Sequence, residues 1–254
     1  MKGWVNNVKK NKFEIDMCNG SIMDKLISFS LPLMVSGILQ LAFNAVDIIV
    51  VGRFSGSQAL AAVGSTTALI NVFANLFIGI SLGANVLAAR FYAAGKDREM
   101  SETVHTSITL ALISGIMMAV IGVLLAKWAL EIMGTPDDVI GQSALYMRIY
   151  FMGMPFFMLY NYGAAILRAI GDTKRPLIFL IISGIANAAL NMILVILFHM
   201  GVAGVAIGTI ISQLISCVLV LTCLYRSEGS YQLRFSKLKI NGAYMEQIFQ
   251  VGVP

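Results

Sequence analysis

The sequence has few charged residues: Asp, Glu, Lys and Arg make up 12% of its 254 residues, against about a quarter in soluble domains. Hydrophobic residues make up 58%, and the mean hydropathy is +0.82. This composition excludes a disordered chain, a secreted disulfide scaffold and almost any cytosolic enzyme. The apolar runs are too long for the strands of a membrane barrel, so the sequence predicts an all-α polytopic membrane protein.

Cysteine, histidine and enzyme motifs are also scarce. The three cysteines are an odd number, and Cys217 and Cys223 do not share a helical face, so we expect no disulfide. His105 and His199 lie in no cluster of metal ligands. The sequence contains no phosphate-binding Walker loop, no Gly-x-Ser-x-Gly elbow and no His-Glu-x-x-His pair. We therefore expect a protein that is not an enzyme and has no metal site or cofactor, apart from a coupling ion discussed below.

Long apolar runs divide the chain into membrane spans. A spanning helix needs about 20 mostly apolar residues. Six segments meet this requirement: 26–51, 59–84, 106–126, 143–167, 176–198 and 202–225. Pro32 and Pro155 lie inside the first and fourth segments, where each is expected to kink the helix and to be a possible hinge. Residues 26–225 are thus predicted to form a six-helix transmembrane lobe.

The distribution of basic residues predicts the orientation of this lobe. Fifteen Lys and Arg residues lie in the tail 1–25, in the second and fourth loops and after the sixth span, whereas Arg53, Lys127 and Arg148 lie on the other side. The positive-inside rule then places the N-terminal tail and the basic linker 226–244 in the cytoplasm, for a multi-pass protein of the cytoplasmic membrane. The net charge of +5 is therefore a topology signal, and no nucleic-acid partner is expected.

A short repeat follows the six spans. Residues 245–254 align without gaps to residues 23–32, with Met at the first position and Pro at the last position of both. Because six spans return the chain to the side where it started, a second unit would be parallel to the first, related by a pseudo-twofold axis along the membrane normal. We expect 245–254 to begin helix 7 of a second, truncated lobe, so that the partner of this lobe is the C-terminal half of a twelve-helix transporter.

Polar side chains inside the spans indicate a shared cavity. Asp47 is the only carboxylate within the predicted spans, and an ionisable residue at membrane depth is a functional candidate by default. Four predicted helices carry polar residues at helical spacing: Ser36, Gln40, Asn44 and Asp47; Thr67, Asn71 and Asn75; Ser183, Asn187 and Asn191; Thr209, Ser212, Gln213 and Ser216. Asp47 could exchange a proton or a sodium ion, although ordinary interhelical hydrogen bonding explains single Asn and Ser residues equally well.

Two further features of the sequence each have two possible interpretations. Arg148 could pair with Asp47, or its side chain could extend to the outer interface. The methionines and five phenylalanines could line an adaptable hydrophobic pocket or could face lipid. These phenylalanines are Phe73, Phe77, Phe151, Phe156 and Phe157.

Several strings of residues resemble the multidrug and toxin extrusion (MATE) transporters. The resemblance covers residues from about 20 to 254 and is carried by Leu31-Pro32, Asn44-x-x-Asp47, Val51-Gly52, Ala61-Ala62-Val63-Gly64, Gly79-x-Ser81-x-Gly83, Gly153-x-Pro155-Phe156, Leu167-Arg168-Ala169-x-Gly171-Asp172-Thr173-Lys174-x-Pro176, Asn187-x-x-x-Asn191 and Gly201-Val202-x-Gly204-x-Ala206.

The resemblance implies two six-helix lobes that export amphipathic or cationic small molecules from the membrane in exchange for protons or sodium ions. It places the coupling ion at Asp47, with a possible sodium ion nearby. The residues expected to shape this cavity are Gln40, Asn44, Asn71, Asn187, Asn191 and Thr209. Many members have Asp where this chain has Asn191, which leaves the coupling ion open. The alternatives are a lipid-linked oligosaccharide flippase of the same broad superfamily and a non-transporting membrane scaffold lobe.

Overall fold

The computed structural model describes residues 21–252, and within this range the chain is helical and contains no β-strand. A π-helical turn (Ile193–Leu197) continues α6, and a 3-10 turn (Phe235–Lys237) lies between α7 and α8. The α-helices are α1 (Ile22–Phe54), α2 (Gly56–Ala93), α3 (Asp97–Ile132), α4 (Asp137–Met152), α5 (Met154–Ala169), α6 (Lys174–Met192), α7 (Gly201–Arg226) and α8 (Gly242–Gly252). Residues 1–20 of the predicted tail and residues 253–254 of the predicted repeat lie outside the described residues.

The helices cover the predicted spans and extend beyond them. In residues 21–252, five helical stretches are long and apolar enough to cross a membrane: α1, α2, α3, α6 with its π turn, and α7. The second and third helices are 38 and 36 residues long. They exceed the predicted limits because Arg90, Arg98 and Lys127 continue the helical backbone past the apolar run.

The predicted span 143–167 is formed by two helices, α4 and α5, with Gly153 between them. Each has 16 residues and is too short to span alone. Pro155 has no N–H, so the carbonyl of Phe151 loses its helical donor, and the N–H of Gly153 bonds the Tyr150 carbonyl at 3.0 Å in a tighter turn. The interruption thus lies at Gly153, two residues before Pro155, and a hinge at Pro155 stays a prediction. By contrast, α1 continues through Pro32 as one helix, and a hinge there stays a prediction.

The lobe is built around α5. This helix packs against α2, α3 and α7, and Tyr162 at its middle is completely buried. The N-terminal half of the broken span, α4, contacts the same three helices, so the two halves together cross the bundle. At the edge of the lobe, α1 packs mainly against α6, where the Phe43 ring occupies the space beside Gly184. Most of α1 is therefore exposed.

Successive spans alternate in direction when α4 and α5 are counted as one span, so the turns gather at two ends. At the end that we call the basic end, the turn after α2, the turn after α5 and the segment 227–241 meet. Here the rings of Tyr92 and Tyr231 lie 6.3 Å apart, and Arg175 Nη1 lies 3.1 Å from Cys223 Sγ. At the opposite end, the turn after α1 reaches the start of α7, with Ser55 Oγ 4.0 Å from the position of a Cβ on Gly201.

The last described helix, α8, crosses α2 at a contact made of small residues. It begins at Gly242, three residues before the predicted start at Met245, and it packs chiefly on α2. A Cβ on Gly83 would lie 2.9 Å from the backbone nitrogen of Gly252, and a Cβ on Gly79 would lie 3.2 Å from the Gly252 carbonyl oxygen. The glycines permit this approach, as in other membrane-helix pairs.

Candidate functional site

The single carboxylate of the predicted spans is hydrogen-bonded to α6. Asp47 lies two turns before the end of α1 and is partly buried. The side-chain amide of Asn191 donates a short hydrogen bond to Asp47 Oδ1. Asn191 is completely buried and stands one residue before the end of α6. The site therefore lies in the half of the lobe that is farther from the basic end.

The hydrogen bonds continue from Asn191 across α6 to α7. The side-chain amide of Asn191 also donates to Asn187 Oδ1 at 3.3 Å. The side-chain amide of Asn187 donates in turn to Thr209 Oγ1 at 3.4 Å. The Thr209 hydroxyl in turn donates to the Val205 carbonyl at 2.9 Å. We call Asp47, Asn187, Asn191 and Thr209 the Asp47 network. The structure thus brings together four of the seven predicted cavity residues, from three helices.

One oxygen of this network has no hydrogen-bond partner among the described residues. Asn191 Oδ1 is buried and faces Gly208 of α7, where a Cβ would overlap it. Because Gly208 has no side chain, the amide of Asn191 can occupy this space. A buried acceptor without a donor is unusual, since such groups cost on the order of 1–3 kcal/mol. This oxygen is available to a bound cation or a proton donor.

The other three predicted cavity residues do not join the network. Gln40, Asn44 and Asn71 are exposed, and in the described part of the chain they make no hydrogen bond with it. Gln40 and Asn44 share the face of α1 that carries Asp47, but only Asp47 reaches α6. Asn71 belongs to α2, which supplies no residue to the network.

Sequence reasoning missed an aromatic pair on the broken span. Tyr146 and Tyr150 of α4 stack with ring centroids 6.1 Å apart. Their spacing of four residues was visible in the sequence, but only the structure shows that the two rings stack. The π turn that follows Asn191 was also unforeseen, and such turns are frequent at functional sites.

No basic side chain neutralises Asp47 within residues 21–252. Arg148 is exposed and forms no ion pair with Asp47, so the predicted alternative of an Asp47–Arg148 pair is wrong. The described ion pairs lie at helix ends instead, as in Arg98–Glu102 and Arg175–Asp172, with nitrogen–oxygen distances of 3.0 and 2.9 Å. Asp47 is thus a carboxylate whose charge is free to be balanced by an ion.

An apolar cavity of about 320 Å³ opens between α2, α3 and α4. Phe73 and Phe151 meet edge to face in its wall, with ring centroids 5.9 Å apart. Other lining residues include Met118, Trp128, Met133 and Met147. Of the five phenylalanines considered for a pocket, these two line the cavity, whereas Phe77 is buried and Phe156 and Phe157 are half-buried.

The Asp47 network combines a carboxylate, two side-chain amides and a hydroxyl. Oxygen atoms of these groups are of the type that hard cations prefer, and a carboxylate can also take up a proton. An uncompensated carboxylate at membrane depth is costly.

Comparison with known proteins identifies the class. The MatE family profile matches residues 32–193, and the chain belongs to this family of MATE multidrug efflux transporters. The fold agrees: a crystal structure of MATE in the bent conformation superposes with a TM-score of 0.86 at 22% identity, covering 92% of this chain and 52% of that one.

Curated relatives of the chain include proteins named for multidrug resistance or multidrug export. The chain is 33% identical over 243 residues to YoeA, a probable multidrug resistance protein of Bacillus subtilis, with 92% of this chain and 52% of the relative covered. It is 28% identical over 238 residues to the multidrug export protein MepA of Staphylococcus haemolyticus, with the same coverage. The chain spans about half the length of the curated relatives it matches.

Proposed function

We propose that the full-length protein exports amphipathic or cationic small molecules by exchange for protons or sodium ions, with Asp47 binding the coupling ion. The Asp47 network carries this proposal, because it is a partly buried carboxylate with an unpaired amide oxygen beside it and no basic partner in the described chain. The names of the relatives support the substrate class. No organic cofactor or enzymatic step enters the proposal.

The proposed exchange uses the contacts between three helices. When an ion occupies the site, the charge of Asp47 is balanced, and the hydrogen bonds through Asn191 and Thr209 hold α1 against α6 and α7. When the ion leaves, the carboxylate must be solvated, which favours an opening of α1, the least buried helix of the lobe. Movement of α1 would then couple ion release to the substrate path.

We further propose that a second six-helix unit completes the transporter and that α8 is its first helix. The double length of the relatives and the glycine contact between α2 and α8 support this arrangement. The substrate path would lie between the units, as in other transporters with parallel repeats. The apolar cavity bounded by Phe73 and Phe151 is a candidate contact for substrates.

The full-length protein reconstituted in liposomes tests this function. With a fluorescent organic cation as substrate, we expect transport when a proton gradient or a sodium gradient is imposed alone, and none when both are collapsed. The ion that drives the flux identifies the coupling ion. Transport that proceeds without either gradient would contradict the exchange mechanism.

A flippase for lipid-linked oligosaccharides is less well supported. Such a substrate carries phosphates, which require cationic side chains in the cavity. In the described residues the Asp47 network contains no cation, and Arg148 is exposed. A scaffold lobe without transport would give no ion-dependent flux in the same liposomes.

We also propose that the basic end faces the cytoplasm. In a cysteine-free version of the full-length protein, Ser236→Cys lies at the basic end and Asp138→Cys at the opposite end, and both positions are exposed. A membrane-impermeant maleimide should label Asp138→Cys on intact cells, and should label Ser236→Cys only after permeabilisation. The reverse pattern would contradict the proposed orientation.

A further inference from the structure

The segment between α7 and α8 is fixed to the start of α3 and is not a loose linker. The backbone N–H of Arg234 donates to His105 Nε2 at 3.1 Å. Since Nε2 accepts, the hydrogen of the neutral ring is on Nδ1, which lies 2.6 Å from the Ser101 carbonyl. His105 is buried and bonded on both sides of its ring.

A second attachment holds the far end of the segment. The backbone N–H of Asn241 donates to Thr106 Oγ1 at 3.2 Å, and its side-chain amide donates to Glu102 Oε2 at 3.0 Å. Asn241 Oδ1 accepts the N–H of Ala243 at the start of α8. We call residues 234–241 the strap, because both of its ends are bound to α3.

The strap presents cations and an aromatic pair to its surroundings. Phe235 is 55% exposed and stacks on Tyr225 of α7, with ring centroids 5.8 Å apart. Arg234 and Lys237 are exposed beside it, and Arg226 is exposed at the end of α7. The acids are fewer: Glu228 is exposed in the preceding turn, and Glu102 interacts with Lys239. The surface near Phe235 is therefore net positive.

The side of α7 that leads to this surface is apolar and exposed. Leu214, Val218 and Tyr225 occupy this side and are 38%, 53% and 54% exposed. Such a stripe on a membrane-spanning helix is suited to contact with lipid chains. Tyr225 stands in its last turn, so Phe235 lies where the stripe meets the headgroups, the level that aromatic side chains prefer.

We infer that the strap, with Arg226 and Tyr225, binds the headgroups of acidic phospholipids. Aromatic rings at the interface and three cations that form no ion pair among the described residues together attract an anionic lipid surface. Attachment to His105 and Thr106 holds these groups in place before the lipid arrives, which reduces the entropy lost on binding. The inference requires the membrane spans but does not depend on the proposed transport.

A local tryptophan reporter tests this inference in the full-length protein. All native tryptophans are replaced by Phe, Phe235→Trp is introduced, and the protein is placed in liposomes with brominated phosphatidylglycerol or brominated phosphatidylcholine as quencher. We expect at least about tenfold enrichment of phosphatidylglycerol at the reporter at low salt, since each cation near an acidic surface contributes about fivefold. Arg234→Gln with Lys237→Gln should lower the ratio at least about fivefold, with Arg226 left to contribute the remaining preference.

Matched controls use the opposite end of the lobe. Arg53→Gln with Lys127→Gln removes two cations there and should leave the ratio at the Phe235→Trp reporter unchanged. Trp128, which is 59% exposed beside the Lys127–Glu131 pair, should show little preference when it is the only tryptophan. Equal quenching by the two lipids, no quenching by either, or a preference that Arg234→Gln with Lys237→Gln leaves unchanged would overturn the inference.

Discussion

Replacing Asp47 by asparagine in the full-length protein should reduce ion-driven efflux at least about tenfold, to the level of liposomes without protein, because an ionisable group at membrane depth carries the coupling charge. Asparagine has the same shape, and its amide oxygen can still accept the hydrogen bond from Asn191. It cannot take up a proton or balance a sodium ion. The measurement is the efflux of a fluorescent cation under an imposed proton or sodium gradient.

The control is another carboxylate outside the membrane. Asp138 is exposed in the first turn of α4, and Asp138→Asn should leave efflux unchanged. A substrate-binding measurement distinguishes loss of ion coupling from loss of folding. A bound drug should raise the melting temperature of Asp47→Asn by as much as it raises that of the parent protein. Ion-coupled efflux at the parent rate in Asp47→Asn would remove this residue from the mechanism.

Replacing Gly83 by alanine should destabilise the contact between α2 and α8. The added methyl group would overlap the carbonyl oxygen of Ile248 and would lie 3.1 Å from the Cα of Gly252. These are backbone atoms, which cannot rotate away as a side chain can, so the helices must separate. Overpacking of this kind costs about 1–3 kcal/mol. We expect the melting temperature of the full-length protein in detergent to fall by several degrees.

Gly64→Ala is the matched control, because it makes the same change in the same helix. A Cβ at Gly64 meets no atom within 4 Å. Alanine there should leave the melting temperature unchanged or slightly higher, since it favours a helix over glycine by about 1 kcal/mol. Equal melting temperatures for Gly83→Ala and Gly64→Ala would show that α8 does not pack on α2 in this way.

The membrane spans were predictable because hydrocarbon imposes a simple rule. A helix must present about 20 apolar residues to cross, and Asp47 was conspicuous because the spans contain no other acid. The interruption near Pro155 was predictable from the missing N–H. The lengths of α2 and α3 were not predictable in this way. Arg90 and Lys127 lie beyond the apolar segments, and hydropathy does not show where a helix ends outside such a segment.

Which residues form the site was only partly predictable from the sequence. Spacing shows which side chains share a helix face, but it does not show how far each helix is rotated or which faces meet. Asn187, Asn191 and Thr209 meet Asp47, whereas Gln40 lies on the same face of α1 and remains exposed. Four predicted helices carry polar residues at helical spacing, but only three of them, α1, α6 and α7, contribute to the Asp47 network.

The strap shows the same limit at the surface. Its basic residues predicted a linker on the cytoplasmic side, and nothing in their spacing indicated His105 as an attachment point. His105 and Arg234 are 129 residues apart, and their bond exists only because α3 begins at the end where α7 stops. A long-range hydrogen bond of this kind has no periodic signal in the sequence.

By itself, the sequence determined a helical membrane lobe, its apolar segments, a cluster of basic residues at one end and a single acid within those segments, because local hydropathy and charge act on each segment independently. The tertiary structure decided which polar faces meet around Asp47, that α8 crosses α2 at glycines, and that the segment after α7 is held by α3. These features depend on helix rotation and on contacts between distant residues, and packing of the whole lobe sets both.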